Sequence, residues 1–144
     1  MLSLTSEYAL RAIVVLAASA DGAPISGQRI AETSGVPRKY LSKILADLVR
    51  AGVLQATRGK SGGFRFARAP RDIRLHQVLE PFEPVLTSRR PCPFGNVVCS
   101  DDAPCSGHDR WKKVRQAYQK FLLETTIQDV AAKKPVPRRA AKKP

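Results

Sequence analysis

The sequence lacks what several protein classes require. Three cysteines in 144 residues are few and odd in number, which argues against the disulfide framework of a small secreted protein. No apolar run approaches the roughly 18 residues of a membrane-spanning helix. The longest, Ala12 to Ala18, falls far short. Ala18-Ser19-Ala20 looks like a signal-peptidase site, but no Lys or Arg precedes Glu7, and Arg11 interrupts the apolar stretch. A secretory signal wants a basic start and a clean apolar middle. The segment therefore reads as a buried helix, and the chain as cytoplasmic with reduced thiols, without a membrane partner. Neither Walker-A nor dinucleotide glycine spacing occurs. No catalytic constellation or small-molecule substrate pocket has a signature here, so the chain does not read as an enzyme.

What is present suits one folded domain with a short extension. A hydrophobic fraction of 43% excludes wholesale disorder. The net charge is +13 and unevenly spread. Residues 1–35 carry net −1, residues 36–74 net +8, residues 75–130 net 0 and residues 131–144 net +6. Two regions thus hold the surplus, which points to a polyanionic partner.

Residues 4–19 predict a first helix with Ser3 or Thr5 as N-cap. Asp21-Gly22-Ala23-Pro24 is a turn. Ser26 caps a short second helix with Ile30 and Ala31 facing inward, and Ser34-Gly35-Val36 breaks it. Pro37 suits the first turn of a third helix. Leu41, Ile44, Leu45, Leu48 and Val49 then form one apolar face, and Gly52 stands at the C-cap. Asp47 and Arg50 share the exposed face with the cations at the helix start. This is helix-turn-helix logic. The start of the third helix would reach base edges in the major groove of double-stranded operator DNA. Arg38, Lys39, Tyr40, Ser42 and Lys43 fit that role, with Ser26 at the preceding helix start.

Val53–Thr57 and Phe64–Arg68 read as two strands. Arg58-Gly59-Lys60-Ser61-Gly62-Gly63 between them makes a basic hairpin tip. Helix-turn-helix plus hairpin is a winged helix, with Arg58, Gly59 and Lys60 placed at the minor groove or on phosphates. A plain hairpin turn accounts for Gly62-Gly63 equally well.

From Glu80 to Gly107 no period persists, and five of the eleven prolines fall there. A structureless stretch this long in a small domain is functional or disordered. It holds Cys92, Cys99 and Cys105, and His108 follows, in the spacing C-x6-C-x5-C-x2-H. Thiolates and imidazole ligate zinc or iron–sulfur clusters. Zinc knuckles use C-x2–4-C, which is missing, so wide spacing favours a cluster (2Fe-2S or 4Fe-4S) over zinc. His108 could instead simply cap the following helix, and Glu7 is a second candidate fourth ligand. Beyond Asp109, Trp111, Val114, Tyr118, Phe121, Leu122 and Thr125 recur at helical spacing, a face for dimerisation or for packing on its own domain. Residues 126–130 form a short closing turn. The tail 131–144, rich in Lys133, Lys134, Arg138, Arg139, Lys142 and Lys143, is expected to be disordered and could add sequence-blind DNA affinity.

The expected architecture is mainly α with a small β-hairpin wing. A winged helix-turn-helix (1–80) is followed by a cysteine-containing loop (81–109), a dimerisation helix with closing turn (110–130) and the tail (131–144). L-T-S-E-Y-A-L-R-A-I near the start, I-A-E at 30–32, Y-L-S-K-I-L-A-D-L-V-R-A-G at 40–52 and R-G-K-S-G-G-F at 58–64, with the cysteine triplet, resemble the IscR/NsrR family of bacterial winged-helix repressors over about residues 2–131. The resemblance implies a cytoplasmic homodimeric regulator whose iron–sulfur cluster, 2Fe-2S or 4Fe-4S, tunes DNA binding in response to redox state, nitric oxide or iron–sulfur status. By position, Cys92, Cys99 and Cys105 match its thiolate ligands, and His108 matches the histidine of the iron–sulfur-homeostasis branch. Glu7 matches a helix-1 carboxylate that other branches supply from the partner subunit. The first cysteine interval is one residue longer than in the homeostasis branch. Ser42 stands where that branch has a glutamate involved in DNA choice, and the basic tail is no part of the pattern.

Overall fold

The computed structural model describes residues 2–19, 21–87 and 90–131. The expected disordered tail lies, from residue 132 onward, outside the described residues.

Helix α1 spans Leu4–Ala17. The Ser3 hydroxyl accepts from the Ser6 N–H at 3.2 Å, so Ser3, not Thr5, is the cap. The helix ends two residues before the expected Ser19. Helix α2 runs Gly27–Ser34, with Ser26 accepting from Arg29 N–H. It ends on Gly35 in the left-handed region, φ 69°, a conformation that glycine reaches without Cβ strain. Helix α3 runs Arg38–Arg50. Pro37 precedes it as the N-cap residue with extended ψ, one position earlier than expected, and Ala51 rather than Gly52 closes it. Gly52 follows at positive φ.

Leu41, Ile44, Leu45 and Leu48 are buried as the spacing predicts, while Val49 is only half-buried. They meet Ala9, Ala12, Ile13 and Leu16 of α1 and Ile30 of α2 in one apolar cluster. Ala31 lies half-buried at its edge. Burying a side chain of this kind contributes on the order of 1.5–3 kcal/mol.

Strands β1 (Leu54–Thr57) and β2 (Gly63–Phe66) pair antiparallel, Leu54 opposite Phe66 and Thr57 opposite Gly63. Both are shorter than expected: Val53 lies just before β1, Ala67 and Arg68 lie beyond β2, and Gly63 belongs to β2 rather than to the tip. Ile25 bridges Phe64, with N–H to carbonyl bonds of 2.9 and 2.8 Å in both directions. The hairpin is thereby tied to the segment that starts α2. A Cβ on Gly63 would lie 2.4 Å from the Ile25 carbonyl, so this approach requires glycine.

A 3-10 turn (Pro70–Asp72) leads to the short helix α4, Leu75–Leu79. Helix α5, His108–Glu124, starts one residue earlier than Asp109, with Gly107 as its cap. Leu122 packs with Leu75, Leu79 and Val85 in a second cluster joined by Tyr118. Val114 and Phe121 stay about half exposed, at 48% and 51%. The expected closing turn is the short helix α6, Ile127–Val130, with a capping box between Thr126 and Asp129. Ile127 is fully buried in the first cluster. Arg74 pairs with Thr126, and Leu75 N–H donates to the Thr125 carbonyl. The chain after α5 thus returns to the winged body. Among the described residues no helix is long and apolar enough to cross a membrane.

Candidate nucleic-acid interface and thiol site

The first turns of α3 carry Arg38, Lys39, Tyr40, Ser42 and Lys43, all exposed, on a helix whose opposite face is locked in the core. Ser26 is exposed at the start of α2. The Ser42 hydroxyl donates back to the Arg38 carbonyl at 3.0 Å, which occupies its proton within the helix. The Tyr40 ring leans toward buried Tyr8, with centroids 6.3 Å apart, and the Arg11 guanidinium lies 5.7 Å from the Tyr8 ring centre. Such contacts restrain Tyr40 while leaving it 52% exposed. Asp47 is not freely exposed as expected. Its carboxylate pairs with Arg50, and its side chain is 20% accessible.

Arg58, Gly59 and Lys60 occupy the exposed turn between β1 and β2. Arg65 projects outward from β2 and Arg68 is exposed just beyond it. Neither belongs to the helix start or the hairpin tip that the sequence pattern marks as DNA-contacting. Strand alternation signals Arg65, which it puts on the face opposite Phe64 and Phe66; Arg68 shares their parity, and its exposure follows from its place beyond the end of β2. The start of α3 and the turn of the hairpin are thus both exposed and both carry cationic side chains, the residue types that reach the groove and backbone of duplex DNA in proteins that read it.

The cysteine segment folds without helix or strand among its described residues from 81 to 107. Backbone bonds hold it: Cys92 N–H to the Asn96 carbonyl, Gly95 N–H to the Cys92 carbonyl, Cys99 N–H to the Arg90 carbonyl and His108 N–H to the Cys105 carbonyl. The Phe94 ring covers Gly107, where a Cβ would meet it at 2.6 Å. Cys92 and Cys99 are buried and Cys105 half-buried, in contrast to the open loop that the surrounding Pro, Asn, Asp and Ser suggest.

Its donors gather in two pairs. Cys92 Sγ lies 3.5 Å from Cys105 Sγ, and Cys99 Sγ lies 3.6 Å from His108 Nδ1. Two ligands at about 2.3 Å on one tetrahedral ion stand about 3.8 Å apart, so each pair is spaced for one such ion. No three His, Cys, Asp or Glu among the described residues gather for a single metal ion. Glu7 is exposed in the first turn of α1 and joins neither pair.

Burial disfavours the Cys92 thiolate, but backbone N–H groups near Phe94, Gly95 and Asn96 and the Cys105 thiol outweigh it and hold Cys92 below the ordinary thiol range. Burial and the Cys92 contact push Cys105 up. Behind His108 stands a group that the cysteine spacing gave no reason to single out. His108 Nε2 lies 2.8 Å from Asp101 Oδ1, and Lys112 Nζ donates to both Asp101 oxygens at 2.7 and 2.9 Å. Lys112, then His108, hold the Asp101 carboxyl down at about 2. A sequence signal existed: Lys112 follows His108 by four residues, one helical turn on the same face.

Comparison with known proteins gives one answer. The Rrf2 family profile, described as "Iron-dependent Transcriptional regulator", matches residues 2–133. A candidate HTH-type transcriptional regulator of Mycobacterium tuberculosis is 33% identical over 135 residues, 90% of this chain and 80% of that protein. Another from Synechocystis is 35% identical over 132 residues, 90% of this chain and 86% of that protein. Among solved structures, CymR, the global cysteine regulator of B. subtilis, superposes with TM-score 0.76 at 24% identity, covering 91% of this chain and 95% of that one. T. potens IscR superposes with TM-score 0.71 at 27% identity, covering 90% and 85%. The matching family profile and the relatives from Mycobacterium tuberculosis and Synechocystis are named as regulators of transcription, not as enzymes.

Proposed function

The chain belongs to the Rrf2 family of transcriptional regulators, and from that premise we propose that it binds operator DNA as a homodimer under the control of an iron–sulfur cluster. The observation that carries this reading is the pairing of donors, Cys92 with Cys105 and Cys99 with His108. Each iron of a 2Fe-2S cluster takes two protein ligands, whereas each iron of a 4Fe-4S cluster takes one, so the pairing favours 2Fe-2S. A single zinc ion needs four donors around one point, which this donor set does not supply. Glu7 stays outside this ligand set within one chain, and only a partner subunit's copy could enter it.

Bound, the cluster supplies one-electron chemistry and sensitivity to oxygen, nitric oxide and iron supply. The chain's residues do the rest. Cys92, Cys99 and Cys105 fix the loop, and His108 carries that restraint into the first residue of α5. Val114 and Phe121 on the exposed face of α5 supply an apolar seam for a second copy, as paired half-sites require. Arg38, Lys39, Tyr40, Ser42 and Lys43, with Ser26, Arg58, Gly59 and Lys60, meet DNA. Loss of the restraint shifts the population between arrangements of the two recognition helices. The tail 131–144 adds sequence-blind affinity.

The test starts from anaerobically purified chain and DNA that it selects from a random-sequence pool. We expect visible cluster absorption, and altered affinity in a Cys92→Ser, Cys99→Ser, Cys105→Ser variant at matched salt. Equal affinity of the variant and the cluster-loaded chain would sink the control mechanism. Arg38→Ala should cost about 1–3 kcal/mol on the selected sequence, and Arg58→Ala should lower the salt slope by about 1. A second reading draws on the same Cys92–Cys105 approach. Two-electron oxidation would close that pair to a disulfide, giving thiol-based control without a metal. Colourless chain after reconstitution, with DNA affinity that responds to oxidant and recovers with dithiothreitol, would favour it.

A further inference from the structure

The two donors of the Cys99–His108 pair differ in how they are held. Cys99 sits in a loop fixed by backbone bonds, while His108 is a ring with two chemically distinct nitrogens. A histidine ligates through a nitrogen that carries no proton, so something must decide which nitrogen that is. His108 is 4% exposed, so water does not decide it. Nδ1 faces the Cys99 sulfur, and Nε2 faces a carboxylate oxygen 2.8 Å away. An ionised carboxylate can only accept.

Resting on the cluster reading above, we propose that Asp101, anchored by Lys112, is the positioning residue that keeps the proton of His108 on Nε2 and leaves Nδ1 free as the fourth ligand. Asp101 is itself exposed, its side chain 68% accessible, so an unanchored carboxylate there would wander. Lys112 prevents that. It holds both oxygens from one helical turn beyond His108 on α5. The ring and the anchor of its acceptor thus share one face of α5, and the acceptor reaches both of them from the loop. The pairwise chemistry is that of a metal-ligating histidine whose far nitrogen donates to a carboxylate, an arrangement that fixes both tautomer and ring angle.

The test compares full-length wild type with Asp101→Ala, Asp101→Asn and, as a charge-matched control in the same loop, Asp102→Ala. In metal-free reduced chain, the ring nitrogen-15 shifts of His108 report the tautomer at a pH where the ring is neutral. Wild type and Asp102→Ala should show the Nε2–H form. Asp101→Ala should reduce the ratio of Nε2–H to Nδ1–H about tenfold, the loss of one charge-assisted hydrogen bond. Asp101→Asn, which keeps the shape but can donate as well as accept, should fall between. In cluster-loaded chain, chelator should strip Asp101→Ala about 10- to 100-fold faster than wild type. Unchanged tautomer and unchanged loss rate in Asp101→Ala, in a chain that does take up a cluster, would overturn the proposal and leave the cluster reading standing. A tautomer shift in a chain that takes up no cluster would overturn the ligand role of Nδ1 together with the cluster reading, while the Asp101–His108 contact would stand.

Discussion

The winged body and the cysteine segment are neighbours built on different principles. In the body, Ile13, Ile30, Leu41 and Leu48 are wholly buried against one another. Its geometry follows from apolar surface leaving water, an undirected force that tolerates exchange of one hydrophobe for another. The segment from 81 to 107 puts few large apolar groups inside. Phe94 and Val97 are 61% and 90% exposed. Backbone bonds, thiols and one imidazole give it shape, and these forces are directed and sensitive to chemistry. A regulator gains from that division, because a chemical change in the segment can reshape it without melting the body.

The comparison is broken most severely from inside the body. Leu48→Ala removes a fully buried side chain from α3 and should lower stability by about 2–5 kcal/mol. Thermal unfolding would read this as a large drop in midpoint, with DNA binding lost alongside it. A smaller break lies where the chain returns after α5. Thr126→Ala removes the hydroxyl that accepts from Asp129 N–H and should cost about 1 kcal/mol. The reciprocal bond has an acid signature. The Thr126 backbone N–H, then its hydroxyl, hold the Asp129 carboxyl below its ordinary value of 3.8. That contribution is full above the ordinary value and disappears as pH falls through the lowered folded one. Asp129→Asn should therefore flatten the acid limb of a stability–pH profile and leave neutral-pH curvature alone. The smallest effect sharpens the contrast. In metal-free chain the triple Cys92→Ser, Cys99→Ser, Cys105→Ser variant should melt within about 1 kcal/mol of wild type, close to the usual surface range. A midpoint drop comparable to that of Leu48→Ala would show the segment to be part of the core.

The same division explains what could be read in the sequence. Periodicity located α3 and its four buried residues because a helix repeats its inward face. It placed Val49 inward as well, since spacing does not say where the partner surface ends. Pro37 and Gly52 marked the limits of α3 to within one residue, because either side of a cap uses the same residue types. The spacing of Cys92, Cys99, Cys105 and His108 singled out the donors, and chemistry alone is enough for that. It could not show that they would sit as two pairs, nor that Asp101 would turn toward His108. Those contacts depend on the course of an irregular loop, which no repeat encodes. The Ile25–Phe64 bridge escaped for a related reason, being a contact between segments distant in sequence.

Helix α5 has its first residue in the thiol site and its last anchored to the winged body, where the Arg74 guanidinium donates to the Glu124 carbonyl and Leu75 N–H to the next carbonyl. Seventeen residues make a strut about 25 Å long. Turning such a strut by about 5° about one end carries the other through about 2 Å, comparable with the helix shifts that switch subunit interfaces. On the function proposed above, a change in bond lengths around His108 too small to disturb any packed side chain would be geared up along this strut into a displacement at the far end.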